Sequence, residues 1–194
     1  MTEKKFDPQK LHKLNNPQRL KDIPPDYIWG KLDMEKADVL VEIGAGTAFF
    51  DIAFLRHANA SKIYACDVSE AMVHWMEENI VPAYPGIIPV KTTENTVPLD
   101  DGIADLVFMI NLHHELDHPM LILAASYRIL KPGGNIFIVD WGKKDMAEGP
   151  PREIRCESGQ VKEQLMHAGF TGVHIFNELP KHFLIVGKKD PQRT

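Results

Sequence analysis

Strand-length apolar runs that alternate with amphipathic stretches predict an α/β protein built on a doubly wound, mostly parallel sheet. Two further observations agree: a Gly-x-Gly turn ends the first run, and an acid closes the second. The elements follow in order: VLVEI at 39–43, a helix over 47–57, KIYACD at 62–67, a helix over 69–79, IIPVK at 87–91, ADLVFMIN at 104–111, a helix over 119–130 and NIFIVDW at 135–141. Several of these runs are apolar almost without interruption, the pattern of strands covered on both faces.

The tail is built differently. After a helix over 158–168, closed by Gly169, come TGVHIFNEL (171–179) and KHFLIVGKK (181–189), joined too closely for a helical crossover. Such strands pair antiparallel. The prediction is therefore a seven-stranded sheet with one late antiparallel strand. Residues 1–37 are polar and punctuated by Pro8, Pro17, Pro24 and Pro25, with short helices expected over 8–14 and 17–22 because proline suits a first helical turn. They read as a helical lead-in folded over the main domain, which runs from 38 to 194. The stretch 142–157 is the only long irregular connection, and long connections in compact domains are more often functional than idle.

With 194 residues, 44% apolar and 25% charged, the chain has the size and composition of one globular domain. Its net charge of −5 disfavours a nucleic-acid substrate, which ordinarily meets a basic excess. No signal-peptide core and no apolar run of membrane-spanning length is present, so a cytoplasmic protein without a membrane span is expected. Cys66 and Cys156 have neither CxxC nor ligand-like spacing and are expected to be reduced.

The segment VEIGAGTAFF carries the chemistry. A strand that empties into Gly-x-Gly and then a helix leaves backbone N–H groups bare to a nucleotide-like ligand, and Asp67, about 20 residues on, can hold ribose hydroxyls. In a dinucleotide fingerprint the next glycine would stand at 49. Here it is Phe49, which opposes a dinucleotide oxidoreductase.

The loop E-I-G-A-G-T-A-F, the acid Asp67, the run TTENTVPLDDGIADLVFMINLHHEL and the run LKPGGNIFIVDW, in this order and spacing, resemble the class I S-adenosylmethionine-dependent methyltransferases. More narrowly they look like the ubiquinone/menaquinone-biosynthesis subgroup. The resemblance spans residues 38–141, with the tail alike in architecture only; the lead-in, FDP…NNPQRL, is similar to that of small uncharacterised bacterial and archaeal members. It implies a Rossmann-like methyltransferase fold, S-adenosyl-L-methionine as cofactor, and methyl transfer to a small-molecule acceptor by a monomer or homodimer, with no metal.

Position by position, the resemblance implies that Gly44, Ala45 and Gly46, with Thr47 in the same loop, run under the amino-acid end and sugar of the cofactor. Glu42 would face its ammonium, Asp67 its ribose, and Val68 and Met72 its adenine. The family's adenine-recognising Asp falls on Thr93, so recognition there would rest on the Thr93 hydroxyl, on Glu94 or on backbone groups. Asn111 would face the methionine end, and His113 or His114 the acceptor, as a base with a pKa near neutrality.

His114–His118 also spells H-E-x-x-H, a zinc-peptidase signature that requires both histidines on one helix. Here they follow a buried strand and run into Asp117-His118-Pro119, a helix start, so they are not expected to share a helical face. Asp140-Trp141 would shape the acceptor pocket or pack; Tyr27 and Trp29 would close the cofactor site or pin the lead-in. Lys131–Gly134 reads as a helix-ending turn without chemistry. A non-catalytic module binding S-adenosylmethionine or its demethylated product would keep Gly44, Gly46 and Asp67 but lack an acceptor pocket.

Overall fold

Prolines set the start of the chain. The structure, a computed structural model, describes residues 11–191, and its first elements are α1 (Leu11–Leu14), α2 (Gln18–Asp22) and α3 (Pro25–Trp29). Residues 8–10 of the first expected helix lie outside the described residues. The sequence reading missed α3, although Pro25 stands at its first turn, where a missing N–H costs nothing. Ile23, Ile28 and Leu32 are buried against the main domain, and each such side chain contributes about 1.5–3 kcal/mol. The lead-in is thereby part of the core.

From β1 (Val39–Ile43) the chain winds outward twice. It passes through α4 (Phe49–His57) to β2 (Lys62–Asp67) and through α5 (Glu70–Asn79) to β3 (Ile87–Lys91), then returns to place β4 (Ala104–Ile110) on the other side of β1. Next come α6 (Pro119–Ile129), β5 (Leu130–Trp141), α7 (Ser158–His167), β6 (Thr171–Phe176) and β7 (His182–Lys188). The spatial order is β3-β2-β1-β4-β5-β7-β6, with β7 antiparallel to both neighbours. This is the predicted sheet, and its direction of winding reverses between β1 and β4. Ligands of open α/β sheets bind at the carboxyl ends of the strands at that reversal.

Alternation along the strands feeds two cores. Leu40, Leu106, Phe108, Phe137, Val139, Leu184 and Val186 face Phe50 and Phe54 of α4 together with the lead-in. Val41, Ile43, Val107, Met109, Ile136, Ile138 and Ile185 face α6 and α7. Phe108 and Phe137 stack at 4.8 Å across β4 and β5, with Phe54 resting on both at 5.0 and 5.3 Å. Both faces are thus covered, as the apolar runs predicted.

Two boundaries differ for local reasons. Helix α4 starts at 49 rather than 47 because Ala48 adopts left-handed backbone, φ +53°. Lys131–Gly134 lies inside β5, not in a separate turn: register jumps from Ala104↔Leu130 to Leu106↔Asn135, and Gly133 at φ +78° takes up the bulge.

The 142–157 connection is knotted by one buried arginine. Arg155 donates to the carbonyls of Pro150 at 2.8 Å, Lys144 and Glu148 at 2.9 Å and Gly142 at 3.3 Å. Lys181, at the start of β7, fastens this loop to the lead-in through Glu148 at 2.6 Å and Asp22 at 2.9 Å. Arg155→Ala would strand four carbonyls of one loop, a loss of roughly 1–3 kcal/mol confined to that loop. Trypsin is expected to cut the variant at Lys143, Lys144 or Arg152 under conditions that spare the parent; equal resistance would show that the loop does not depend on Arg155.

Candidate active site

The turn out of β1 is built from backbone that side chains rarely adopt. Gly44 stands at φ +79°, Gly46 at +58° and Ala48 at +53°. At the end of β4, Asn111 stands at +58°, where asparagine is the most tolerated substitute for glycine. The two turns touch: a Cβ on Gly44 would lie 2.8 Å from the Leu112 side chain. The end of β2 clasps the loop, Gly44 and Ala45 donating to the Cys66 carbonyl at 2.8 and 3.0 Å and Gly46 to Asp67 Oδ2 at 2.8 Å. Asp67 Oδ1 accepts from Ser69 N at 2.8 Å. The acid assigned to a ribose therefore also fixes the glycine loop, and each of its oxygens keeps a second lone pair.

Beneath the loop lies a pair of buried carboxyls, one of which the sequence reading overlooked. Glu42 is 2% exposed and Asp51, in the first turn of α4, is 0% exposed. Glu42 Oε2 and both Asp51 oxygens accept no bond from a protein N–H or hydroxyl. Burial, then the facing Asp51 carboxyl, pushes Glu42 well above its ordinary range; burial lifts Asp51 to about 7. An aspartate among the apolar positions of a helix was the available signal.

Arg19, from α2, is the cation that faces Glu42. Its guanidinium donates to the Leu14 carbonyl and lies over the rings of Phe49 and Phe50 at 5.6 and 4.7 Å. Leu14 reaches within 3.5 Å of where a Cβ on Gly46 would stand. Thr47 Oγ1 and Asn111 Oδ1 are buried without partners on the same rim. Val68, at the end of β2, is a large apolar side chain left 46% exposed, while Met72 behind it is buried. The Thr93 hydroxyl is engaged in its own turn, 2.7 Å from Thr96 Oγ1, and Glu94 is exposed.

The two histidines after β4 diverge. His113 is buried and bonds Gln164 of α7 across 2.8 Å, and burial lowers its pKa, so it is a neutral packing group turned toward α7. His114 turns to β5: its Nδ1 lies 2.7 Å from Asp140 Oδ1, and its backbone N–H donates to Asp140 Oδ2 at 2.9 Å. Trp141 N adds a third bond to Asp140 at 2.7 Å. On its other side, His114 Nε2 lies 3.7 Å from Glu115 Oε1, so carboxyl groups flank both ring nitrogens.

His118 is the N-cap of α6 and exposed, so His114 and His118 do not share a helix. Trp141 packs at 4.3 Å from the ring of His182, the first residue of β7, and the backbone of Gly149 lies flat against the indole. Both His182 nitrogens are buried without partners, and burial pushes its pKa down to about 4. Tyr27 donates to Glu178 at 2.9 Å, pinning α3 to the β6–β7 connection.

An acid whose pKa is higher folded than unfolded costs stability as pH rises between those two values. For Asp51 that window runs from about 4 to about 7. Asp51→Asn is expected to raise the Tm by roughly 2–4 °C at pH 8, with the gain fading toward pH 4; a gain that does not depend on pH would remove the ionisation argument.

Comparison with known proteins bears on the family and the fold. Residues 41–138, half of the chain, match the methyltransferase domain family. The crystal structure of a SAM-dependent methyltransferase from Aquifex aeolicus superposes with a TM-score of 0.86 at 29% identity, over 95% of this chain and 99% of that one. The ubiquinone biosynthesis O-methyltransferase of Xanthomonas oryzae pv. oryzae is 30% identical over 137 residues, 68% of this chain and 52% of that protein. The tRNA N(3)-cytidine methyltransferase METTL2 of Gallus gallus is 23% identical over 166 residues, 82% of this chain and 43% of that protein. The chain spans about half the length of these two curated relatives, whose named acceptors differ in kind. Among the described residues no helix is long and apolar enough to cross a membrane. On the match over residues 41–138 and the likeness to the Aquifex structure, the chain belongs to the methyltransferase domain family and is an S-adenosylmethionine-dependent methyltransferase.

Proposed function

We propose that the chain methylates a small molecule at a hydroxyl, thiol or amine, with His114 as the base and Asp140 as the residue that orients it. The 2.7 Å contact between His114 Nδ1 and Asp140 Oδ1 at the rim of β4 and β5 carries this reading. It sets the tautomer in which Nε2 accepts a proton, and it stabilises the imidazolium formed when that happens. A quinone-like or lipid-like acceptor, as the subgroup resemblance suggests, is compatible with this. The net charge of −5 speaks against a polynucleotide, despite the likeness to a tRNA enzyme.

The residues of the rim fit the cofactor. Buried oxygens without partners at Glu42, Thr47 and Asn111 suit its polar amino-acid end, the second lone pairs of Asp67 its ribose hydroxyls, and exposed Val68 the adenine. Bound there, S-adenosylmethionine supplies a methyl group on a positively charged sulfur, a donor activated before any protein group acts. The chain is then left to align the acceptor and, for a protonated one, to remove its proton. The engaged Thr93 hydroxyl shifts adenine recognition toward backbone groups or Glu94. The lead-in, tied down by Arg19, Tyr27 and Lys181, would cover this site as a fixed wall.

A labelled-methyl screen across phenols, catechols, thiols and amines tests the acceptor class. On the best acceptor, His114→Ala is expected to lower kcat by about 10²–10⁴-fold and leave S-adenosylhomocysteine affinity within twofold. Matching losses in affinity and turnover would show that His114 only shapes the site. Gly44→Ala, forced to hold φ +79° against Leu112, is expected to do the reverse and weaken S-adenosylhomocysteine binding by roughly tenfold or more, an effect of about 1–2 kcal/mol.

A further inference from the structure

Asp51 is fully buried, charged by composition and unused by the mechanism above. It enters from the first turn of α4, and Glu42 meets it from the end of β1. Among the described residues no N–H or hydroxyl makes a well-formed hydrogen bond to Glu42 Oε2 or either Asp51 oxygen, and the two carboxyls face each other. Two facing carboxyls in such surroundings do not both ionise; the pair holds at least one proton.

The other groups facing the pair are few. Arg19 acts on Glu42 from α2, with its guanidinium already bonded to the Leu14 carbonyl. Asp67 acts from β2 and is held by Gly46 and Ser69; Cys66, also on β2, is buried, and the surrounding carboxyls keep it a thiol. Lys91 acts on Asp67, so among the described residues Arg19 is the cation that acts on the pair itself.

We propose that Glu42 and Asp51 together receive the amino group of S-adenosylmethionine, and that the proton they share in the free protein leaves to solvent as the ammonium takes its place. Asp51 is on this account a cofactor-binding residue, and ligand affinity rises with pH. No bond to the ligand is made or broken: one proton passes from the carboxyl pair to buffer, and the pair becomes doubly ionised against the ammonium and Arg19. The inference rests on the placement of Glu42 at the amino end of the cofactor.

The sign follows from linkage. Binding that releases a proton is favoured as pH rises, up to the pKa of the free pair, and flattens above it. Isothermal titration with S-adenosylhomocysteine at pH 6.5, in phosphate and in Bis-Tris, reads the proton directly because these buffers differ in ionisation heat. Wild-type protein is expected to release about one proton per ligand, and its Kd to tighten by up to roughly tenfold between pH 5.5 and 6.5. Asp51→Asn and Glu42→Gln are each expected to bind more weakly, with heats that no longer depend on the buffer. Buffer-independent heat in the wild type, or undiminished proton release in both variants, overturns the proposal. The second result would assign the proton to Asp67. No binding of S-adenosylhomocysteine to the wild type at all would instead overturn the placement beneath it.

Discussion

The structure depends on how the chain leaves β1. Between Ile43 and Phe49 it must reverse from strand into helix while keeping backbone N–H groups uncovered, and it does so through left-handed backbone at Gly44, Gly46 and Ala48. Such a turn does not hold itself. The carbonyl of Cys66 and the carboxylate of Asp67 fasten it from β2, and Leu112 lies over it from β4. The acid at the end of β2 is thus a strut of the loop before it is a ligand. Ala48 costs about 1–2 kcal/mol in this conformation, and its methyl is fully buried in the core beside α5, which offsets the cost.

A second constraint is electrostatic. Glu42, Asp51 and Asp67 surround the loop, with Arg19 acting on Glu42 and Lys91 on Asp67, an arrangement that a protein selected for stability alone would replace with apolar or neutral groups. Carboxyls held in excess of their cations, in a turn with bare N–H groups, suit a ligand that brings both positive charge and polar hydroxyls. The lead-in limits the cost of burying these carboxyls by supplying Arg19, which explains why a polar segment far from the sheet centre carries fully buried isoleucines at Ile23 and Ile28.

What the sequence disclosed follows from the range of the forces involved. The seven strands, the late antiparallel element and the glycine loop were legible because alternation, Gly-x-Gly and a terminal acid are local patterns, whereas the spatial order of the strands was not read from the sequence. The start of α4 was misplaced by two residues because alanine at 48 conceals its left-handed conformation. Asp51 and Arg155 were missed because burial of a charge depends on what the rest of the fold brings over it. His113 and His114 were indistinguishable in sequence; one residue of rotation at the end of β4 sends the first to Gln164 and the second to Asp140. Asp140 itself was seen as part of the cleft, but not as the partner of His114.

Strand order also maps the reaction onto the rim. The residues assigned to the cofactor lie over β2, β1 and β4, whereas Asp140, Trp141 and His182 lie over β5 and β7. Strands stand about 4.8 Å apart, so β7 is roughly 14 Å from β1, beyond the reach of the glycine loop. The environment changes along that line, from carboxyls in excess to His182, a buried imidazole kept neutral with both nitrogens unpartnered. The family match ends at 138, just before Asp140, and begins at 41, after Arg19. The matched segment therefore contains the glycine loop, Asp67 and His114, while Arg19, the loop knotted by Arg155 and the start of β7 lie outside it.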